Sequence, residues 1–264
     1  FASDSKILEI NSKTGLYPLY VAYSLYRQRK KDFEATGGLI DDPDNYSVEE
    51  EQVIWDDILA NNVYVICNTP MARRITECTL LGFRKLNMRE GNERLNIKSV
   101  QLIRRATEDR EALISDLLSE GFWRGNKRNK IIMKFGAVVG NPPYQVVNKG
   151  NGNGADPIYH TFIDIARAVS PRGTLIHPAR FLFNAGKTPK DWNQQFLNDP
   201  HVKVMDYWAS SMEVFPTVDV KGGIAVTYWD RNKDFGAIGF FLTSSLRHPK
   251  ILIKEFSYFL MPCH

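Results

Sequence analysis

Apolar residues fall along the chain in two recurring patterns. Short runs rich in β-branched residues, bounded by turn-forming residues, predict strands over 6–10, 63–67, 99–103, 135–139, 173–177, 202–206, 223–229 and 236–242. A period near 3.6 residues predicts helices over 16–29, 49–61, 71–81, 107–118, 158–168 and 189–198. Strands and helices alternate through most of the length. That order predicts an α/β fold on a mostly parallel, doubly wound sheet. The last strands follow one another without a long helical crossover, so an antiparallel strand is expected at one edge. No internal repeat is visible, and low complexity is confined to the run Gly150-Asn151-Gly152-Asn153-Gly154.

Composition narrows the class without naming a function. The 264 residues are 43% hydrophobic and 24% charged, which excludes disorder, collagen-like repeats and a pure coiled coil. No window approaches 18 consecutive apolar residues, so no membrane span is expected. Cys67, Cys78 and Cys263 show no paired spacing with the histidines. Neither a disulfide framework nor a zinc site is suggested, and a reducing cytoplasm fits. The chain opens almost directly on an apolar run and stops just after one, with no initiator Met and no signal-peptide pattern. A fragment of a larger protein is therefore expected.

The net charge of +4 permits a nucleic-acid partner without arguing for one. Its distribution is uneven. Between residues 29 and 57, ten acids face three bases, and Gly37-Gly38 and Pro43 punctuate the stretch; it reads as a solvated acidic insertion. Between 73 and 110, ten bases face five acids, and 124–134 holds five bases and no acid. These basic stretches are either a phosphate-facing surface or ordinary helix surface.

The segment that carries chemistry is Gly140-Asn141-Pro142-Pro143-Tyr144, straight after the apolar run 135–139. In open α/β sheets ligands sit outside the carboxyl ends of the strands. Two successive prolines fix φ and remove two N–H donors, so the turn is stiff and presents carbonyl acceptors. An exocyclic amine on a nucleobase is a poor nucleophile, because its lone pair is delocalised into the ring. The Asn141 side-chain carbonyl and the Pro142 backbone carbonyl are the pair that accepts its two protons and localises that lone pair. Tyr144 offers a face on which an extruded base stacks, worth roughly 1–3 kcal/mol per base.

On these residues the chain resembles the catalytic domain of S-adenosylmethionine-dependent, adenine-N6 DNA methyltransferases of the gamma class. In particular it resembles the large restriction–modification proteins that combine or pair a methylase with an endonuclease. The resemblance implies a Rossmann-like methyltransferase fold filling 1–264 as one catalytic domain. It also implies S-adenosylmethionine as cofactor, double-stranded DNA as partner, and no metal. A restriction endonuclease on the same chain or as a subunit, and a bacterial cytoplasmic location, follow from it. No Asp…Glu-x-Lys nuclease constellation stands out, and a target-recognition region is expected past His264. In Val214-Phe215-Pro216, similar to a late motif of the family, Phe215 is the candidate for the other face of the adenine, and Lys221 for a DNA phosphate.

The cofactor side of the resemblance rests on Glu9, Asn11, Lys13 and Gly15. Glu9 takes the acidic position after the first strand and Gly15 one glycine position, while Lys13 stands where a first glycine is usual. After the strand 63–67 the family carries an acid for the ribose hydroxyls; this chain has Asn68-Thr69-Pro70, so Asn68 is the ribose candidate or simply a helix cap. His177-Pro178 reads as pocket wall more than catalyst, and Arg180 and Phe181 are candidates to line the target strand. The loop 150–154 is expected to close over substrate or DNA. Two alternatives stay open: methylation of a protein glutamine, and a methylase-like DNA-binding module without cofactor chemistry.

Overall fold

The computed structural model describes residues 4–35, 48–82, 95–126, 128, 131–147 and 154–238. The fold is mixed α/β and divides into two compact units. The described residues up to Gly140, with Ala168–Ser170, form the first. Asn141–Arg167 and the described residues from Pro171 onward form the second.

The first unit is a parallel sheet of β1 (Ile7–Ser12), β2 (Val63–Cys67), β3 (Asn96–Ser99) and β4 (Ala137–Gly140), in the order β3-β2-β1-β4. Every residue of β1 and β2 is buried, as for parallel strands covered on both faces. On one side α1 (Leu16–Ala35), α2 (Val48–Asn61) and α3 (Pro70–Leu81) contribute Ala22, Leu25, Ile58, Leu59 and Leu80 to a core with Ile7, Val63, Val65 and Ile97. Elsewhere Tyr64 of β2 meets Trp123 and Phe135 edge-on, with ring centres 5.1 and 5.3 Å apart. The strand order reverses between β1 and β4. That is a topological switch point, where open α/β sheets leave a crevice at the carboxyl ends of the strands.

The second unit carries β7 (Arg172–Pro178), β8 (Val202–Trp208) and β9 (Ile224–Asp230), in the order β7-β9-β8 with both pairings antiparallel. The expected antiparallel edge is present. A short hairpin of β5 (Gln145–Val147) and β6 (Ala155–Pro157) precedes α7 (Tyr159–Val169), and α8 (Lys190–Asn198) lies between β7 and β8.

Several sequence expectations shift. The third strand is 96–99 rather than 99–103, because Leu102 already opens α4 (Leu102–Glu108). The helix expected over 107–118 is broken at Asp109, whose carboxylate accepts the Ala112 N–H at 3.2 Å and caps α5 (Arg110–Leu117); α6 (Glu120–Arg124) follows. No strand forms over Gly236–Ile238, and the rest of that expectation lies outside the described residues. The acidic stretch is partly helix: α1 runs to Ala35 and α2 starts at Val48, with Arg29 paired to Asp57. Much of the basic stretch 73–110 is ordinary helix surface, since Arg73 and Arg74 pair with Glu77, and Arg104 with Glu108. Among the described residues, no helix is long and apolar enough to cross a membrane.

Candidate active site

β1 ends at the switch point with an irregularity. Ile10 pairs with Ile66, but Ser12, not Asn11, pairs with Cys67, so the register slips by one residue. Asn11 absorbs the slip in a left-handed conformation, φ +72°, which asparagine tolerates better than most residues. Its side chain is buried, while Lys13 is exposed. Gly15 then turns the chain into α1 with φ +81°; a Cβ there would lie 2.8 Å from Thr79 Cβ and 3.0 Å from Thr76 Cα. The close approach of this turn to α3 requires glycine. Thr79 Oγ1 also donates to the Thr14 carbonyl at 2.6 Å, tying the loop to α3.

Glu9 is almost wholly buried, at 3% exposed. Its carboxyl is hydrogen-bonded with Ser12, but Oε2 is enclosed and has no hydrogen-bond partner. Burial pushes its pKa up to about 8, against a small opposing effect of Ser12. Desolvation, then the Glu9 charge, raises the Tyr17 phenol. Ser12 Oγ shares a hydrogen bond with Thr76 at 3.0 Å, and Thr76 also contacts the Cys67 thiol, which burial pushes up to about 12. This thiol is therefore protonated and inert near neutral pH.

At the end of β2 the two readings of Asn68 and Thr69 separate. Thr69 Oγ1 accepts the Ala72 N–H at 3.1 Å and caps α3, with Pro70 in its first turn. Asn68 Oδ1 accepts the Ile103 N–H at 3.4 Å, so its acceptor already serves the first turn of α4.

On the other side of the switch point, Gly140 closes β4 with φ +148° opposite Ile10. A Cβ there would lie 2.5 Å from the Ile10 carbonyl oxygen. In the Asn141–Tyr144 turn that follows, Pro142 is buried and the other three residues are half-buried. The Tyr144 carbonyl accepts the Ile158 N–H at 3.0 Å, just before α7.

Phe215 and Lys221 sit on the segment between β8 and β9. Ser211, which sequence reading passed over, organises it. Its hydroxyl donates to the Val218 carbonyl and accepts the Val220 N–H, both at 2.7 Å, while its carbonyl accepts the Phe215 N–H. A lone serine carries no sequence signal for this. Phe215 is half-buried and Lys221 exposed.

His177 is fully buried, its ring stacked on Tyr159 at 5.5 Å. Its Nδ1 lies 3.1 Å from the Pro178 carbonyl, which can only accept, so Nδ1 carries the proton and Nε2 accepts from the Thr227 hydroxyl at 2.8 Å. Burial lowers its pKa to about 4. Its environment is that of a neutral packing residue. Residues 148–153, most of the expected closing loop, lie outside the described residues.

The candidate residues thus fall into two groups. Glu9, Asn11, Lys13, Gly15 and Asn68 belong to the first unit; Asn141–Tyr144, Phe215 and Lys221 belong to the second. A polar cavity of about 460 Å³ lies at the opposite, amino-terminal end of the parallel strands, lined among others by Lys6, Arg29, Asn62, Tyr64 and Lys134. None of the candidate residues lines it.

A family model described as Eco57I restriction-modification methylase matches residues 61–215, more than half of the chain. An uncharacterized adenine-specific methylase of Mycoplasma pneumoniae (strain ATCC 29342 / M129 / Subtype 1) is 29% identical over 139 residues. The match covers 51% of this chain and 33% of that protein, so the chain spans about a third of its relative's length. Among solved structures, a nuclease-deletion mutant of the type ISP restriction-modification enzyme LlaGI, in complex with a DNA substrate mimic, superposes with a TM-score of 0.50 at 12% identity. That match covers 88% of this chain and 21% of the other, and it is a likeness of fold. The M protein of the type I restriction enzyme EcoKI gives 0.44 at 12% identity, over 85% and 39% of the two chains.

Proposed function

Because the chain belongs to the Eco57I restriction-modification methylase family, we propose that it carries the catalytic centre of an adenine-specific DNA methyltransferase. The observation that carries this reading is the stiff Asn141–Tyr144 turn leaving β4 at the switch point, after a glycine packed against the backbone of β1.

In this reading the Asn141 Oδ1 and the Pro142 carbonyl accept the two protons of the adenine exocyclic amine. Drawing on both N–H bonds localises the amine lone pair and makes it a nucleophile. The two prolines keep the acceptors in place without competing donors. Tyr144 and Phe215 stack on the extruded base, and Ser211 holds the segment that presents Phe215. Lys221 meets a DNA phosphate.

S-adenosylmethionine, when bound, supplies an activated methyl group on a sulfonium cation, and no metal is called for. The buried, unpartnered Oε2 of Glu9 fits its cationic amino group, and the tight Gly15 turn lets backbone approach it. Asn11 and Lys13 line the same loop. The ribose end is less like the family, since Asn68 offers an amide already engaged through its oxygen. In the bacterial cytoplasm such a protein works on double-stranded DNA beside a restriction endonuclease.

The test is transfer of tritiated methyl from S-adenosylmethionine by the full-length protein, offered mixed-sequence duplex DNA or a glutamine-bearing protein acceptor. Label in DNA is expected. Label only in protein would favour glutamine methylation. Neither binding nor transfer would leave a DNA-binding module without cofactor chemistry.

A further inference from the structure

β7 and β9 are neighbours that end side by side: Pro178 pairs with Ile224, and the Ala179 N–H donates to the Gly223 carbonyl at 3.0 Å. The chain after β7 and the chain before β9 are therefore held together. Arg180, the first residue of the short 3₁₀ turn Arg180–Phe183, lies across the second of these segments. Its aliphatic stem runs between two glycines. A Cβ on Gly222 would lie 2.9 Å from Arg180 Cγ, and one on Gly186 would lie 3.1 Å from Cδ. Both glycines have left-handed backbones, φ +88° and +74°. The guanidinium is then fixed by Nε, which donates to the Lys221 carbonyl at 2.7 Å.

A guanidinium carries five N–H donors, and among the described residues this one donates through the Nε–H alone. The two terminal nitrogens remain as a planar fork. Among the described residues neither Arg180 nor Lys221 forms an ion pair, although Asp219 is two residues from Lys221. Arg29, Arg73, Arg104, Arg105 and Arg167, by contrast, are each paired with an acid. Lys187 pairs with Asp156, and Lys190 donates to the Asn184 carbonyl. Two glycines therefore seat the Arg180 stem, the Lys221 carbonyl fixes its Nε, and the exposed Lys221 adds a second cation to the same segment, with no acid paired to either among the described residues. A loop clamp needs only the Nε bond and a stem. A fixed guanidinium fork has the geometry for two oxygens of one phosphate.

We propose that Arg180 and Lys221 form a binding site for one phosphodiester of the substrate DNA backbone, on the segment that also carries Phe215. This rests on the DNA-methylating function proposed above and names a contact of it. The contact reads no sequence. It fixes the strand relative to the base-stacking residues.

The test is binding of a labelled duplex by the full-length protein over a series of salt concentrations, with S-adenosylmethionine affinity and melting temperature measured in parallel. Loss of one phosphate contact lowers the slope of log K against log salt by about 1. Arg180→Gln is expected to give that loss, with about tenfold weaker DNA binding and unchanged cofactor affinity. Gly222→Ala alters no charge but pushes on the stem, and it is expected to show the same fall in slope. Lys221→Gln, at an exposed position, reports without threatening the fold. Unchanged slope and affinity in Arg180→Gln and Lys221→Gln, with only the melting temperature of the first lowered, would make Arg180 a loop clamp and overturn the site. If the unaltered protein neither bound nor methylated DNA, the underlying function would fail and the site with it. If it did both while the variants matched it, the site alone would fail.

Discussion

Gly140 sits so close to Ile10 that a Cβ would lie 2.5 Å from the Ile10 carbonyl oxygen. The two residues are register partners on adjacent parallel strands, one strand leading to Glu9 and Gly15 and the other into Asn141. Gly140→Ala is expected to cost about 3 kcal/mol by forcing the strands apart, beyond the strain of its backbone angle. Gly82 is the contrast: its φ is +64°, but among the described residues nothing lies within 4 Å of an added Cβ. Its ψ of −134° is also glycine backbone, so Gly82→Ala should carry the conformational strain alone, about 1–3 kcal/mol, without the steric cost. Urea unfolding of both variants checks the contrast; equal costs would show that the close approach does not matter.

Glu9 predicts a pH dependence. Its pKa in the folded protein is about 8, against 4.5 for the free group. Between these values the folded state holds a proton that the unfolded state has released. Its contribution to stability is therefore fully present below pH 4.5 and is lost as pH rises through 8. Glu9→Gln should flatten that part of the profile. A cationic amine beside Glu9 favours the carboxylate, so S-adenosylmethionine binding at about pH 7 should release a proton and tighten with rising pH until the amine itself deprotonates, at about pH 8. Calorimetry in buffers of different ionisation enthalpy reads this, and Glu9→Gln should abolish the proton release.

His177 gives the opposite sign. Its pKa is lowered to about 4 from 6.5. The unfolded chain binds the proton first, so stability is lost as pH falls from 6.5 towards 4. Methyl transfer between pH 6.5 and 8 should show no titration from this ring. His177→Phe should remove the acid slope and cost about 2 kcal/mol near neutrality, because the Thr227 hydroxyl loses its acceptor. A transfer profile that lost a pKa near 6.5 in this variant would make His177 a participant in the reaction.

Tyr144→Ala and Phe215→Ala each remove one ring from the extruded base. Each should lower DNA-dependent kcat/KM by about 5- to 150-fold, the equivalent of about 1–3 kcal/mol of stacking. Tyr144→Phe should retain most activity. Fluorescence of 2-aminopurine at the target position should report weaker extrusion in the Ala variants. Unchanged fluorescence in both would remove these rings from base capture.

Much of this was legible in the sequence because it is local. The five apolar residues of β2 form one run that no helix period explains, and Asn141–Tyr144 is a contiguous motif. What escaped depends on partners far along the chain. β3 holds Asn96, Lys98 and Ser99, a poor strand by propensity; it is held by pairing with β2 and by Asn96 Nδ2 donating to the Ala60 carbonyl at 2.6 Å. The seat of Arg180 against Gly222 and the contact of Gly140 with Ile10 are likewise tertiary, whereas the partners of Ser211 lie within nine residues but follow no sequence signature. Asn68 is the intermediate case, where sequence offered a ribose ligand or a structural group and its oxygen is engaged in the fold.

The central claim is that Asn141 activates the exocyclic amine of adenine. It is tested most directly by digesting DNA after incubation with the full-length protein and S-adenosylmethionine, then measuring N6-methyladenine by mass spectrometry. The unaltered protein should produce it. Asn141→Ala should lower the yield by at least about a hundredfold while binding the cofactor with nearly unchanged affinity. N6-methyladenine formed by Asn141→Ala at the unaltered rate would contradict the account.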